Sequence, residues 1–498
     1  MSSVPVPSAR AFSLNGTTFD AMQRLTSSRF SSTGLGGFAL LLMLGVFATA
    51  GYAQKPQDTT QITFDEAVRT ALDQNTDVKR AQAQARASNV QVQSEWMDFA
   101  PDLNVSSDVS RRIGRNFSQV TGGFTTQSTN RFSLSGRSSV TLFNGFENVA
   151  SLQQARKQAT ADETRLKRTR RDVVFTVMDQ FIALVESREI VRVRKEQVEA
   201  QRQRLRQVRE FVDAGSRPQS DEFTAEADLA DAEQQLLQAR REREVNKTRL
   251  IQTLQLNPRQ AYDFQVPDLD EGPSGADQFD RSALIDEAFQ KRLDLRAAQA
   301  ERQAAQQGIR AAKATYYPSL SISGRYGTDW SSRGRIPDPN NPGQFIDQSF
   351  TEQLENNRGG GISLSLSIPI FERLQRSAQV EQARVQAQNA KYQLQDQRQQ
   401  VALQVRQAYL DHQNAVQQLE AANKRLQAAE QARTAAQERY ELGSADIVEL
   451  QNALRDYVDA ASRQVQAQYN LLFQQKRIDY NAGRLSPNEP LLGQPASR

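Results

Sequence analysis

The stretch GISLSLSIPIF, residues 361–371, sits in a chain otherwise rich in Gln, Ala and Arg that reads as helix. Extended, it points Ile362, Leu364, Leu366, Ile368 and Ile370 one way and Ser363, Ser365, Ser367 and Pro369 the other. Three more stretches carry the same dyad. Leu103, Val105 and Val109 alternate with Asn104, Ser106 and Asp108. Phe132, Leu134, Val140 and Leu142 alternate with Ser133, Ser135, Arg137, Ser139 and Thr141. Leu320, Ile322 and Tyr326 alternate with Ser319, Ser321, Ser323 and Arg325. A soluble sheet with one buried face alternates too. Runs of about ten residues with aromatics at their ends (Phe99, Phe143, Tyr316, Tyr317, Trp330, Phe371) favour a bilayer. The expected lipid-facing residues are Leu320, Ile322, Ile362, Leu364, Leu366 and Ile368. In hydrocarbon each unpaired backbone N–H or C=O costs several kcal/mol, so such a sheet must close into a barrel. Four strands are too few, because the smallest single-chain barrels use about eight. Several copies must therefore share the wall: eight strands from two chains, or twelve from three.

The chain is written twice. Residues 75–105 lie over 292–322 at a constant spacing of 217, with Asp77 on Asp294 and Pro101 on Pro318. Residues 142–156 lie over 370–384 at a spacing of 228, which holds as far as Gly215 on Gly443. Between the strands the register changes, marking a loop of variable length. Each copy reads as a short helix (64–74, 282–291), a longer one (76–99, 293–316), a proline that stops it, two strands, a very long helix, a glycine turn and a returning helix. The first repeat is 54–256, with strands at about 101–112 and 131–143, the long helix 144–212 and the return helix 220–256. A connector, 257–281, leads to the second repeat, 282–485, with strands at about 318–330 and 359–371, the long helix 372–440 and the return helix 446–485. A tail, 486–498, follows.

Both long helices have a seam. Leu152, Ala159, Leu166 and Val173 are seven apart; after a step of four, Val177, Leu184, Val191, Val198, Leu205 and Val212 are again seven apart. Val380, Ala387, Leu394 and Val401 then Val405, His412, Leu419, Leu426, Arg433 and Tyr440 repeat this, with the step at the same place. Heptads give a left-handed coiled coil, and a four-residue insertion relaxes it locally. Each long helix spans roughly 100 Å at about 1.5 Å per residue. His412 reads as a helix-surface residue rather than a metal ligand.

Composition agrees. Hydrophobic residues are 38% of 498 and mean hydropathy is −0.65, too polar for a large dry core and suited to long helices burying narrow stripes. Absence of cysteine excludes disulfides, thiolate metal sites and a lipid-bearing cysteine. The 62 Lys and Arg are matched by 58 Asp and Glu spread along helices, so nucleic acid is not an indicated partner. Arg24 and Arg29, the apolar run GFALLLMLGVFATA and the small residues before Gln54 predict an export leader over 1–53.

The doubled arrangement, with FAPDLNV and YYPSLSI before the strands and LFNG and IFER after them, resembles the TolC-like outer-membrane efflux family over about 60–485. The resemblance implies a mainly α chain whose four strands join those of two other copies in a twelve-stranded transmembrane β-barrel, continued by a coiled-coil α-barrel across the periplasm. It implies a homotrimer in outer-membrane lipid, docked to a periplasmic adaptor and an inner-membrane pump, and serving efflux or type I secretion. At the tip it implies a pore gate of Glu449, Asp221 and Tyr440, with Asn452 where the family has a second acid and Ala445 where it has an arginine. The docking turns are Gly215–Ser216 and Gly443–Ser444. From the residues alone, these glycines are helix-ending turns and Glu449 a helix-start acid.

Two other classes compete. A periplasmic coiled-coil adaptor would carry one helical hairpin between Gly-rich β domains, whereas this chain has two hairpins. An enzyme would need a site, yet no phosphate-binding loop, metal cluster, cofactor motif or nucleophile–base pair is present; the paired acids Asp268, Asp270 and Glu271 lie in the Pro/Gly-rich connector.

Overall fold

The computed structural model describes residues 60–118, 122–265 and 279–486. The expected leader 1–53, nearly all of the tail and the connector acids Asp268, Asp270 and Glu271 lie outside the described residues. In chain order the elements are β1 (Thr60–Ile62), α1 (Phe64–Gln74), α2 (Thr76–Met97), β2 (Asp102–Ser118), β3 (Gly123–Asn144), α3 (Glu147–Asp213), α4 (Gln219–Thr253) and β4 (Tyr262–Phe264). The second copy follows as α5 (Arg281–Lys291), α6 (Leu293–Ala314), β5 (Ser319–Ser331), β6 (Arg335–Pro337), β7 (Phe345–Asp347), α7 (Phe350–Asn356), β8 (Gly359–Ser367), α8 (Gln375–Glu441) and α9 (Ile447–Ala482). Both long helices run 67 residues, and each begins three residues later than the periodicity places it.

That delay has a local cause. Between strand and long helix the backbone turns through two left-handed residues, Gly145–Phe146 in the first copy and Arg373–Leu374 in the second. At Gly145 the turn also presses on α6, where a Cβ would come within 2.5 Å of the Ala314 carbonyl oxygen. Only glycine meets both demands.

Strands β2-β3-β5-β8 form one antiparallel sheet in that order. The register places Val109, Phe132 and Trp330 side by side, and Leu320 opposite Leu366, so one face gathers the large apolar side chains, interrupted by Ser107, Ser138 and Thr328, and the other carries most of the hydroxyls. The apolar face is bare: Leu103 is 76% exposed and Ile362 82%. Both edges, β2 and β8, have no further strand partner among the described residues.

Three strand boundaries differ from the sequence reading. β2 and β3 run past 112 and 131 as a continuous ladder to Ser118 and Gly123. Past the apolar band a hairpin needs only its backbone bonds, and Phe117 against Phe124 (5.3 Å) staples this end. β8 stops at Ser367 because Pro369 has no N–H to give the ladder, so Ile368 lies just beyond the strand, exposed. The loop between β5 and β8, read as a loop of variable length, contains β6, β7 and α7, with Phe350 packed on Phe132 and Trp330.

The seam positions of α3 and α8 are buried or half-buried, with Leu166, Val191, Val212, Ala387, Leu419, Leu426 and Arg433 in the second group. Val173, Val177, Leu184, Val198 and Leu205 are buried in one, and Val380, Leu394, Val401, Val405 and Tyr440 in the other. His412 corrects the surface reading: it is 3% exposed, edge-on to Phe279 at 5.1 Å, because the seam faces inward where it sits. A core around Phe181 is closed by Phe64 and by β1 paired with β4, a contact that joins the start of the first repeat to the connector that follows it.

Where the copies meet, α3 joins the second repeat through a charged knot. Asp294 accepts from Arg168 Nη1 (2.5 Å), Arg292 Nη2 (2.6 Å) and Gln397 Nε2 (2.9 Å). Arg168 also reaches Asp172 (2.7 Å) and the Tyr480 hydroxyl (3.0 Å), and Tyr480 stacks on Phe175 at 4.3 Å. Arg292 is 3% exposed and donates to Asn481. The repeat-equivalent places in copy one hold Asn75 and Thr253, joined by a plain amide-to-carbonyl bond of 3.0 Å. One capping position thus does two jobs in the two copies.

Candidate functional site

The ends of the two helical hairpins are near copies of each other. Gly215 (φ +71°) and Gly443 (φ +74°) each terminate a long helix in the left-handed region. Ser216 N–H donates to Phe211 O and Ser444 N–H to Arg439 O, each at 2.9 Å, and both serine hydroxyls cap the same carbonyls. A Cβ on either glycine would meet nothing within 4 Å, so backbone conformation alone demands glycine there. The turns are exposed and present Ser216 and Ser444 outward.

Tyr440 is 1% exposed, in a cluster with Leu205, Val208, Ala225, Ile447 and Leu450 that packs the two hairpins together. Its ring lies between two guanidinium groups of the first hairpin, Arg204 at 3.7 Å and Arg217 at 4.5 Å from the ring centre. Arg217 Nη2 also donates to the Tyr440 carbonyl oxygen (3.3 Å). The Tyr440 hydroxyl and Arg204 Nε and Nη2 are buried with no hydrogen-bond partner among the described residues, so the ring face makes the contact. Burial pushes the Arg204 guanidinium below its usual range, Tyr440 opposes this, and Arg217 adds to it. A second link between hairpins joins Arg455 to the buried carboxylate of Asp228 (2.7 Å).

Of the expected gate residues, the structure unites Tyr440 with the first hairpin but through arginines rather than an acid. Asp221 lies in the first turn of α4 and acts on Arg204 only through its charge. Glu449 is the third residue of α9, its N–H capped by Asp446 (2.8 Å), and its carboxylate pairs with Arg439 of the same hairpin. Asn452 is exposed one turn further on. Arg217, Arg204 and Arg439 were missed by the sequence reading. One signal was available: Arg217 stands two residues after Gly215, the copy-one equivalent of Ala445, so the arginine absent from the second turn is present in the first.

The sequence matches the family model for outer membrane efflux proteins over residues 67–254 and 284–484, that is, across both repeats. No curated protein matches it. Its fold is similar to the CmeC outer membrane channel of Campylobacter jejuni (TM-score 0.71, 18% identity, covering 84% of this chain and 85% of that one). It is similar also to the outer membrane protein VceC of Vibrio cholerae (0.69, 16%, 84% and 96%) and to the open state of the Neisseria gonorrhoeae MtrE outer membrane channel (0.64, 19%, 84% and 89%). The duplicated helix–strand–strand–long-helix chain, with its bare sheet and paired hairpin tips, belongs to the outer membrane efflux protein family.

Proposed function

We propose that three copies of the chain close one twelve-stranded barrel in the outer membrane and continue it as a helical tunnel through the periplasm. The observation that carries this is the four-stranded sheet with one bare apolar face and two edges without a strand partner among the described residues. Neither can exist alone in lipid, and joining β8 of one copy to β2 of the next, antiparallel, pairs the two open edges along the nine residues of β8. The tube is passive, driven by an inner-membrane pump through a periplasmic adaptor that grips the exposed Gly215–Ser216 and Gly443–Ser444 turns. The Tyr440 clasp holds the tip closed until the second hairpin swings away from the first.

Heating the detergent-extracted protein before electrophoresis tests the reading: the expected result is conversion of a three-chain band to a one-chain band, with pores in planar bilayers from the former alone. A single chain soluble without detergent contradicts it. Glu449 has a defined place in this scheme. Glu449→Gln leaves Arg439 uncompensated and makes the tip more positive, so block by hexaamminecobalt added on the tip side is expected to weaken about threefold or more. Unchanged block removes Glu449 from the pore.

A further inference from the structure

The hydroxyl face of the sheet carries Arg112, Arg131, Arg137 and Arg325 with Asp102, Asp108 and Asp329, and at one level two arginines share a row that holds no acid. Arg137 of β3 and Arg325 of β5 stand directly opposite each other in the ladder, and the row continues to Asn104 on β2 and Gly361 on β8. Like charges directly opposite each other destabilise a strand pair. No acid stands in the row itself; the charge of Asp102, one row on, acts on Arg137. Asp102 is also hydrogen-bonded: Oδ1 accepts from Ser139 N (2.6 Å) and Ser139 Oγ (2.7 Å), and Oδ2 from Asn104 (2.9 Å). Neither arginine makes an ion pair with a described residue.

The surroundings make the pair prominent. The neighbouring rows on this face are mostly serine and glycine, with Asp102 at the end of one: Ser106 bonds to Ser135 (3.2 Å) and Ser323 to Ser363 (3.0 Å). At the arginine level Gly361 adds no side chain to the row. Arg325 is the middle residue of β5, while Asn104 is the third residue of β2 and Arg137 lies seven residues from the helix-side end of β3, which places the row in the helix-side half of the sheet.

We propose that Arg137 and Arg325 form an anion-selecting ring inside the barrel, and that the solutes this channel passes carry negative charge as carboxylate, phosphate or sulfonate. The proposal rests on the three-chain channel above, which multiplies the pair to six guanidinium groups around one level. Within a narrow, low-dielectric wall such a ring attracts anions and repels cations more strongly than exposed charges do in bulk water. Arginine binds oxyanions in bidentate fashion, which suits the ring to carboxylate, phosphate and sulfonate groups.

The test is block of single-channel current by inorganic tripolyphosphate, added on the barrel side, away from the tip. In the unmodified protein block is expected, weakening from 0.1 M to 1 M salt as the screening length falls from about 10 Å to about 3 Å. Arg137→Gln with Arg325→Gln is expected to raise the half-blocking concentration about tenfold or more, while the Lys pair retains block. Should the double Gln variant fail to form three-chain bands, the single variants carry the test, each raising the concentration about threefold. Equal block in the unmodified and Gln proteins, both conducting normally, overturns the ring and leaves the channel intact. Absence of any pore from the unmodified protein overturns the channel reading and the ring with it.

Discussion

Asp294→Ala is expected to cost about 3–5 kcal/mol in chemical unfolding of the detergent-solubilised protein and to abolish stable assembly, because it strands buried charge. Arg292 has almost no exposure, and Arg168 is three-quarters covered, so neither can turn to water when the carboxylate goes. Asp77, the equivalent residue of the first repeat, is the control: it is exposed and pairs loosely with Arg80 at 3.6 Å, and Asp77→Ala is expected to cost about 0.5 kcal/mol or less. The same knot sets an acid limit. Burial pushes the Asp294 carboxyl up, but hydrogen bonds and charge from Arg292 and Arg168 outweigh this and bring it to about 2. A depressed carboxyl pKa stabilises the fold fully above the unfolded value near 4, and that contribution is lost as pH falls toward 2. Asp294→Asn is expected to flatten this limb of the stability–pH curve. An Asp294→Ala protein as stable as Asp77→Ala removes the knot from the account.

The second large effect is at the tip. Tyr440→Ala removes a fully buried ring and both guanidinium contacts, a loss of about 3 kcal/mol or more. Since each 1.4 kcal/mol is a factor of ten, the open fraction is expected to rise about a hundredfold. It is read as persistent large single-channel conductance and as sensitivity of cells to a large hydrophilic antibiotic. Tyr440→Phe is expected to stay closed, because the hydroxyl has no partner and the ring makes the contact. Arg204→Ala or Arg217→Ala, each removing one side of the sandwich, falls between. A Tyr440→Phe channel as open as Tyr440→Ala contradicts the ring-based clasp and returns the lock to a hydroxyl hydrogen bond.

Most of the architecture was legible because its signals are periodic. Seven-residue seams located the buried faces of α3 and α8, the alternation of Leu364, Leu366 and their serine neighbours located the strands, and the duplication allowed each copy to check the other. What escaped was non-periodic. The left-handed pairs at Gly145–Phe146 and Arg373–Leu374 shift the starts of both long helices, and only one of those four residues is a glycine to signal it. The outer end of the β2–β3 hairpin has no apolar alternation to read. The tip was hardest, since its charges pair across hairpins: Arg217 meets Tyr440 over a separation of 223 residues and Arg455 meets Asp228 over 227, which no local pattern encodes.

The central claim is that β8 of one chain is the neighbour of β2 in the next, three times round. The sequence contains no cysteine, so introduced pairs report cleanly. Cysteines scanned along β2 from Asn104 to Val109, each combined with one between Gly359 and Ser365 of β8, should yield, for the aligned pairs, an oxidant-dependent ladder on denaturing gels ending at three chains. A ladder ending at two chains, or cross-links confined within single chains, contradicts the shared barrel.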